Sequence, residues 1–438
     1  MSSHNSSSRY LAMSRELHDN SGQWEAYEST GHCIALAGPG SGKTKTLTLK
    51  LARILAEDVS APRGVACITF SQECSRELVR RLDAIGIKES SRLFIGTVHG
   101  FCLRHLLVPY SRLANLGLPH PIEVSTIQQN RAVFEAVSVQ LYGARNSYRQ
   151  HDVDNHRRAC FDRQSPEWQS EPELSELAEA YERELRRRGL IDYEDLVLYG
   201  QRLVTQHNWV LPIIRAKFPV LAIDEYQDLG VGLHQIVQRL AFNGGVRLFA
   251  VGDADQSVYG FNGADSSLLL ELAARPDVQC VRLSINYRCA NEIIDAAEIA
   301  LGVARGYRSS NVARVAQVEI IHRPLGIADQ ARYAVEDLIP HVLSSTPGRQ
   351  LGDIAVLYRN AEIGDLVASS AQSAGLNFMR IDNAAPYRKC AVVSWIEDCA
   401  AWCSGGWRAA QPKLGGLIGR WCRFHSARLS DTERHHEA

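Results

Sequence analysis

The sequence predicts an α/β fold in which helices cover a parallel sheet. Short apolar runs rich in β-branched residues alternate with helical patterns, as strand–helix–strand units do. A glycine-rich loop follows the first of these runs, and a pair of acids follows a later one. The predicted strands are Cys33–Ala37, Val65–Phe70, Leu93–Thr97, Val220–Asp224 and Leu248–Val251.

A stretch of different character, from about Tyr110 to Leu190, interrupts the alternation and predicts an inserted helical subdomain. Its last helix has four apolar residues at helical spacing on one face, namely Leu174, Leu177, Tyr181 and Leu185. Gly189 is expected to end that helix. Asp192 then predicts an N-cap, with Asp195 at the third helical position, where a new helix returns the chain to the sheet.

A second alternating series follows and predicts a further sheet domain that begins but does not close. Its predicted elements, in order, are strand Val318–His322, helix Ala328–Leu343, strand Ile354–Tyr358, helix Leu366–Ser373 and strand Asn377–Ile381. The predicted division is therefore a first sheet domain over 1–110 and 191–285, an insertion over 111–190, and an incomplete second domain over 286–438.

The composition excludes a disordered or fibrous chain, since 45% of the 438 residues are hydrophobic and 22% are charged. The 48 lysines and arginines nearly balance the 49 acids, so the whole chain has no basic field to attract a polyanion. A nucleic-acid partner would have to be held by a local groove. No run approaches the roughly 18 apolar residues of a membrane span, so we expect no membrane partner and a cytoplasmic location.

The eleven cysteines are scattered along the chain. Cys33, Cys67 and Cys280 fall inside apparent core runs, which predicts buried, reduced thiols. Cys399 and Cys403 lie one helical turn apart and are a weak candidate for metal binding, because no second pair stands at zinc spacing.

The glycine-rich loop after the first predicted strand has the composition of a phosphate cradle. It has the sequence AGPGSGKT, formed by Ala37, Gly38, Pro39, Gly40, Ser41, Gly42, Lys43 and Thr44, and a helical pattern follows it. The glycines let backbone N–H groups converge on phosphate oxygens at a helix N-terminus. Lys43 is expected to reach the terminal phosphates of a nucleotide, and Thr44 offers its hydroxyl to Mg²⁺.

Two adjacent acids end a predicted buried strand in the segment FPVLAIDEYQD, Phe218 to Asp228. Asp224 can hold Mg²⁺ directly or through water, and Glu225 beside it can polarise a water that attacks a phosphate. Adjacent acids are common on protein surfaces. After a buried strand, in a chain with a phosphate loop, they indicate a site that hydrolyses a nucleoside triphosphate.

These segments resemble those of UvrD/Rep-type superfamily 1 DNA helicases, in the same order, from about Gln23 to about residue 395. The resemblance implies RecA-like sheet domains that use ATP and Mg²⁺ and bind single-stranded DNA and duplex junctions. Gln23 is similar to the family glutamine that reads the adenine edge. Phe70 in ITFSQECSRELVRRL, and Thr97 and His99 in GTVHGFC, stand where the family contacts DNA bases or backbone.

Two later segments extend the resemblance to the loops near the phosphates. Gln227 in DEYQD is implied to couple nucleotide state to the DNA-contacting loops. Gln256 in VGDADQSVYGFNGAD is implied to sense the terminal phosphate. Tyr259 and Phe261 in that segment would line the DNA path, beside Asn262, where the family usually has arginine.

The segment NYR, Asn286 to Arg288, resembles the family motif at the entry to the second sheet domain. The resemblance implies that Tyr287 stacks on adenine and that Arg288 reaches the terminal phosphate. The implied catalytic residues are therefore Lys43, Asp224, Glu225, Gln256 and Arg288.

A near-neutral chain can still hold a single strand through stacking aromatics, which contribute roughly 1–3 kcal/mol per base. Phe70, Tyr259 and Phe261 are the candidates, and core packing is their alternative role. The predicted last helix of the insertion has a basic run, Arg183, Arg186, Arg187 and Arg188, with i,i+4 spacing in Glu182/Arg186 and Glu184/Arg188. A solvated helix face and contact with duplex DNA are the alternatives for this run.

The resemblance also implies two further motifs after the predicted helix near Cys390–Cys403, and neither occurs before Ala438. One of them supplies a second arginine to the transition state, and arginines of this kind contribute on the order of 10³–10⁵ in rate. We therefore expect weakened hydrolysis from this chain. Arg420, Arg423 and Arg428 are candidates for a replacement arginine, although nothing in their spacing favours them.

Three hypotheses follow for the function. The leading one is an ATP-dependent DNA helicase that moves 3′ to 5′ on single-stranded DNA. The second is a truncated or split motor that binds ATP and DNA without efficient unwinding and is completed by a second polypeptide. The third is a P-loop ATPase that acts as a switch in a repair or defence complex.

Overall fold

The computed structural model of the protein describes residues 10–88, 90–143, 146–258, 260, 263–381, 391–403 and 412–422. The chain divides into two compact units, Met1–Val318 and Glu319–Ala438. The division into three domains expected from the sequence stays a prediction.

The first unit is built on a parallel sheet. Its strands are β1 His32–Ala37, β2 Val65–Thr69, β3 Leu93–Thr97, β4 Glu123–Val124, β5 Leu190–Ile191, β6 Val220–Ile223, β7 Arg247–Gly252, β8 Val278–Leu283, β9 Ile285–Asn286 and β10 Arg308–Ser309. Six of them form one sheet in the order β3-β2-β6-β7-β1-β8, and every pairing in it is parallel. The pairs β4–β5 and β9–β10 lie outside this sheet.

Helices connect the strands of the first unit. They are α1 Ser21–Glu28, α2 Lys43–Arg53, α3 Gln72–Ala84, α4 Val98–Phe101, α5 Val108–Tyr110, α6 Ile127–Tyr142, α7 Gln150–Ala159, α8 Pro166–Gln169, α9 Pro172–Arg187, α10 Tyr193–Gln206, α11 Val210–Lys217, α12 Val231–Gln238, α13 Ser267–Ala273 and α14 Asn291–Leu301. Wider π-helical turns occur at Ile54–Asp58, Cys102–Leu107 and Arg239–Asn243, and 3₁₀ turns at Arg15–Leu17, Tyr226–Asp228 and Ala254–Gln256.

The sheet separates two hydrophobic cores, because alternate residues of a strand point to opposite faces. Ile34 of β1 packs in one core, and its neighbours Cys33 and Ala35 pack in the other. Every residue of β6 is buried, as expected for a central strand of a parallel sheet. The five predicted strands are confirmed to within one residue at each end.

The strand β8 has no clear signal in the sequence, because it lies at the edge of the sheet and has β1 as its one neighbour among the described strands. Half of its residues are exposed, so its sequence is not a continuous apolar run. The prediction of a buried thiol is confirmed for Cys33 and Cys67 and wrong for Cys280, which is exposed on this strand.

The helical insertion has a small core of its own. The predicted apolar face of α9 is confirmed, since its four apolar residues are all buried in that core together with residues of α6 and α7. The predicted start of α10 is also confirmed. The Asp195 N–H donates to Oδ1 of Asp192 at 2.9 Å, and the Asp192 N–H donates to Oδ2 of Asp195 at 3.0 Å.

Glu182 and Arg186 stand at i,i+4 spacing, but each pairs with a residue outside α9. Glu182 accepts from Nε of Arg157 at 2.8 Å, and Arg186 pairs with Asp195 at 2.5 Å. An i,i+4 pair on a helix surface contributes only about 0.2–0.5 kcal/mol. Partners in the interior, where an unpaired charge is costly, therefore decide the arrangement.

The rest of the basic run lies on the surface of α9. Arg188 pairs with Glu184, four residues before it, at 2.8 Å, and Arg187 pairs with the same carboxylate at 2.6 Å. Arg183 pairs with Glu179 at 3.6 Å. Exposed pairs along the helix are typical of a solvated face, and contact with duplex DNA stays a prediction.

The second unit is mainly helical in its described residues. Its helices are α15 Ile327–Tyr333, α16 Ile339–Ser345, α17 Ala361–Ser373 and α18 Ala391–Cys403, with a π-helical turn at Ala334–Leu338, a 3₁₀ turn at Leu351–Asp353 and a helical segment at 414–422. The three helices predicted there, including the one near Cys390–Cys403, are confirmed. The second begins earlier than predicted because Oδ1 of Asn360 accepts from the Ile363 N–H and caps α17.

The three strands predicted after the first sheet are wrong, since none of Val318–His322, Ile354–Tyr358 and Asn377–Ile381 pairs with another strand of the described chain. Alternating apolar residues do not make a strand unless a neighbour satisfies the backbone N–H and C=O groups. The last two runs instead line a largely apolar cavity of about 760 Å³ together with α16 and α17.

Within the described ranges, no helix combines the length and apolar content needed to cross a bilayer. The same residues contain no group of three histidine, cysteine, aspartate or glutamate side chains arranged to hold a metal. Cys399 and Cys403 of α18 therefore have no third ligand of these types among the residues that the structure describes.

Candidate functional site

The phosphate loop lies between β1 and α2, where the sequence predicts it. Gly40 and Gly42 have φ angles of 66° and 82°, in the left-handed region that favours glycine. Space is a second constraint, because a Cβ atom at Gly42 would lie 2.4 Å from Nε2 of Gln23. That nitrogen donates to the Ser41 carbonyl at 2.8 Å, so the predicted adenine-reading residue lies against the loop.

The side chain of Lys43, the first residue of α2, meets two other predicted site residues. Its Nζ donates to Oε2 of Glu225 and to Oε1 of Gln256, both at 3.2 Å. These partners are 182 and 213 positions away in the sequence. The ammonium is therefore held by protein groups that an anionic phosphate would displace.

Asp224 and Glu225 follow β6 at its carboxyl end. Asp224 is 5% exposed, and its N–H donates at 2.9 Å to the carbonyl of Ile68 on the neighbouring β2. Glu225 has φ 51° and ψ 52°, a left-handed conformation that costs a residue other than glycine roughly 1–3 kcal/mol. Its N–H donates to Oδ1 of Asp224 at 3.1 Å, which fixes this turn.

Gln227 joins the acid pair to the loop that contains Gln256. Its side chain is buried, and Nε2 donates to Oε2 of Glu225 at 2.8 Å. Its Oε1 accepts from the Asp253 N–H at 2.9 Å. The predicted coupling residue is thus bonded to both loops.

Three carboxylates beside the phosphate loop have raised pKa values. Burial and the neighbouring Glu225 charge raise the pKa of Asp224 and that of Asp228, each to about 6. Burial also raises the pKa of Asp253. One oxygen of Asp228 and one of Asp253 are buried without a hydrogen-bond partner. Asp224 and the Thr44 hydroxyl at the start of α2 offer oxygen ligands of the kind that Mg²⁺ prefers.

We expect Asp224→Asn to stabilise the protein when Mg²⁺ is removed. The pKa of Asp224 rises from 3.8 to about 6 on folding, so its contribution to the unfolding free energy is present below pH 4 and is lost as pH rises through about 6. Above pH 6 the variant should therefore be more stable, by at most about 3 kcal/mol. Urea unfolding from pH 4 to pH 7.5 with a chelator measures this difference.

Addition of Mg²⁺ and a nucleotide should make the wild-type protein more stable than Asp224→Asn, because ligand binding stabilises the folded wild-type protein. A difference between the two proteins that stays constant from pH 4 to pH 7.5 would contradict the burial argument for Asp224.

The segment Asn286–Arg288 lies directly against the phosphate loop. The Tyr287 N–H donates to the Gly40 carbonyl at 2.8 Å, and its hydroxyl accepts from Nδ2 of Asn20 at 3.1 Å. Arg288 is exposed, and its Cβ lies 2.7 Å from the position of a Cβ at Gly40. Both predicted residues are thus at the rim of the loop.

The described residues predicted to contact DNA lie at or just after the carboxyl ends of β2 and β3, on the same edge of the sheet as the phosphate loop but at its other end. Phe70 follows β2 and is half-buried, and Thr97 ends the adjacent strand β3 and caps α4 through the Gly100 N–H at 3.3 Å. His99 packs edge-on against Tyr193 with ring centroids 5.3 Å apart. Burial lowers the pKa of His99, so its imidazole is neutral at pH 7.

Five residues that the sequence analysis discusses for the nucleotide or DNA site lie outside the described residues, and their roles stay predictions: Tyr259, Phe261, Asn262, Arg423 and Arg428. Arg420, another candidate for a replacement arginine, pairs with Asp398 at 2.5 Å in the second unit.

Two contributions to the site lie outside the motifs. Asn20 caps α1 by accepting from the Gln23 N–H, and only its position three residues before that glutamine indicates the cap. Tyr307 comes close to the loop only through the fold. Asp253 belongs to the segment that contains Gln256, but the sequence analysis assigns it no role.

Comparison with known proteins places the sequence beside one family. Residues 19–277 match the family described as UvrD/REP helicase N-terminal domain. The chain is 27% identical over 350 residues to the ATP-dependent DNA helicase PcrA of Staphylococcus epidermidis, and 27% identical over 356 residues to that of Staphylococcus aureus. Each match covers 78% of this chain and 48% of the relative, so the chain spans about half the length of these relatives.

Proposed function

The chain belongs to the UvrD/Rep helicase family, and from this premise we propose that it is an ATP-dependent DNA helicase motor. Its substrates would be ATP with Mg²⁺, single-stranded DNA and duplex junctions. The observation that supports this most directly is the convergence of Lys43, Glu225 and Gln256 beside the phosphate loop, at 3.2 Å in both contacts.

The exchange of partners at Lys43 is the first step of the proposed mechanism. An entering terminal phosphate binds the Lys43 ammonium in place of Glu225, because these two anionic groups compete for one cation. Glu225 then loses its ionic partner and can accept a proton from the attacking water. Gln256, also released, reports whether that phosphate is present.

Charge on the phosphates is neutralised by residues at the edge of the loop. Backbone N–H groups of the loop and the N-terminus of α2 face the phosphate position, and Arg288 reaches it from the rim. Mg²⁺, held by Thr44 and Asp224, would neutralise phosphate oxygens during in-line attack. Tyr287 and Gln23 would hold the adenine.

The DNA strand would cross the other end of the sheet edge, over Phe70, Thr97 and His99. A neutral His99 can bond to a phosphate or a base without adding charge, and the half-buried Phe70 leaves part of its ring for stacking. Gln227 would pass the nucleotide state toward this surface. Movement from 3′ to 5′ is the direction that the family resemblance implies.

The proposal predicts that single-stranded DNA accelerates ATP hydrolysis by the 438-residue chain, and that a 3′-tailed duplex is unwound. Lys43→Ala should abolish both activities, because it removes the cation that meets the terminal phosphate. Lys45→Ala is the matched control, since this nearby lysine pairs with Glu16 in an exposed position. Phosphate release and strand displacement measure the two activities.

Turnover without strand displacement would contradict the helicase function and favour an ATPase switch. Tight ATP binding with negligible turnover, restored by a second polypeptide, would favour the split motor. Failure to bind ATP would remove the proposal altogether.

A further inference from the structure

The chain returns to the phosphate loop after α14 through residues 302–310, here called the return segment. Its residues Arg308 and Ser309 form β10 beside β9, and the Ser310 N–H donates to the Asn286 carbonyl at 2.8 Å. At its start, the Val303 N–H donates to the Glu298 carbonyl of α14 at 3.2 Å, and further along the Tyr307 N–H donates to Oε1 of the same residue at 3.2 Å. The return segment is thus bonded to the structure on both sides.

Two side chains of the return segment contact the site, and neither has a role in the proposed function. The ring of Tyr307 lies directly over Gly38, since a Cβ atom there would be 2.5 Å from its Cζ. Arg305 forms two parallel bonds with Asp255, Nε to Oδ2 and Nη2 to Oδ1, both at 2.7 Å. Planar bidentate pairs of this kind fix geometry as well as charge.

Asp255 lies in the Ala254–Gln256 turn, immediately before the predicted phosphate sensor. Asp253 holds the backbone of the turn, since its Oδ1 accepts from the Asp255 N–H at 3.1 Å. The Gln256 N–H donates to the Asp253 carbonyl at 3.0 Å. Arg305 holds the Asp255 side chain of the same turn, so it limits how far the Gln256 side chain can move from Lys43.

We propose that Arg305 is a positioning residue that aims Gln256 at the terminal phosphate and so lets the chain distinguish a nucleoside triphosphate from a diphosphate. The inference rests on the proposed ATP site. Arg305 and Asp255 are 31% and 18% exposed, so the pair adds little to stability. Its effect is on the position of the sensor, because both ends of the return segment are fixed.

The test measures the Kd values for ATPγS and for ADP, each with Mg²⁺, by calorimetry on the full chain. The ratio of the ADP value to the ATPγS value reports discrimination for the terminal phosphate. Arg305→Ala should lower this ratio about tenfold, by weakening ATPγS binding while leaving ADP binding unchanged. Arg305→Lys, which keeps the charge and loses the bidentate geometry, should give an intermediate ratio.

Two further variants separate positioning from stability. Arg275→Ala removes a similar bidentate pair, with Asp277 at 2.9 and 2.8 Å, away from the site, and should leave the ratio unchanged. Gln256→Ala should lower the ratio by itself, and adding Arg305→Ala to it should have no further effect.

Loss of affinity for both nucleotides in Arg305→Ala would overturn the inference, and so would a further fall in the ratio in the double variant. If the wild-type chain prefers ATPγS over ADP and the Arg305→Ala variant has the same ratio of Kd values, the inference is overturned and the proposed function is not affected. A wild-type chain that binds neither ATPγS nor ADP would contradict both the inference and the proposed function.

Discussion

Glu225→Gln is expected to reduce ATP hydrolysis by roughly 10²–10⁴-fold, the usual contribution of a general base. The amide has the shape of the carboxylate but cannot accept the proton of the attacking water. Binding of ATPγS should be retained or strengthened, because the variant removes the anion that competes with phosphate for Lys43. Steady-state phosphate release and calorimetry measure the two effects separately.

The matched control for this prediction is Glu271→Gln, which changes a 59% exposed carboxylate on α13 of the same unit. It should leave turnover unchanged. Wild-type turnover in Glu225→Gln would show that another group accepts the proton, and loss of ATPγS binding would show that Glu225 holds the nucleotide.

The second large effect is expected from Arg157→Ala, which should lower the free energy of unfolding by about 3–5 kcal/mol. Arg157 is fully buried and bonds to Glu182 at 2.8 Å, Asp192 at 2.6 Å and Asp195 at 2.9 Å. Burial opposes ionisation of Asp192, yet the guanidinium holds its pKa below the ordinary value. Without Arg157 these carboxylates lose their main countercharge in the interior.

Arg131→Ala is the matched control for Arg157→Ala, since its pair with Glu135 at 2.7 Å is exposed on α6. Such a pair contributes about 0–1 kcal/mol. Urea unfolding compares the two variants. Equal losses would contradict the claim that burial makes the Arg157 cluster important.

The sequence predicts the phosphate site well because local rules determine most of it. Gly40 and Gly42 stand where the loop adopts the left-handed backbone conformation. Asp224 and Glu225 directly follow β6, which lies between β2 and β7, so they must lie at the carboxyl edge of the sheet. Parallel strands end at one edge, so residues after β1, β6 and β7 come together even when they are distant in the chain.

Contacts between residues that are distant in the sequence could not be predicted in the same way. Glu182 has an arginine at the i+4 position, yet it bonds to Arg157, because the buried guanidinium needs more than one anion. Tyr307 lies over Gly38 although no motif links these residues. The mispredicted strands have the same cause, since strand formation depends on a neighbour that local alternation does not specify.

The order of strands in the main sheet also has a consequence for synthesis of the chain. Among the strands that the structure describes, β1, which leads into the phosphate loop, pairs only with β7 and β8, whose residues begin at Arg247 and Val278. At a translation rate of roughly 5–20 residues per second, β1 leaves the ribosome on the order of 10–40 seconds before its first neighbour. The loop therefore forms late, and nascent chains that end before β7 should not bind nucleotide.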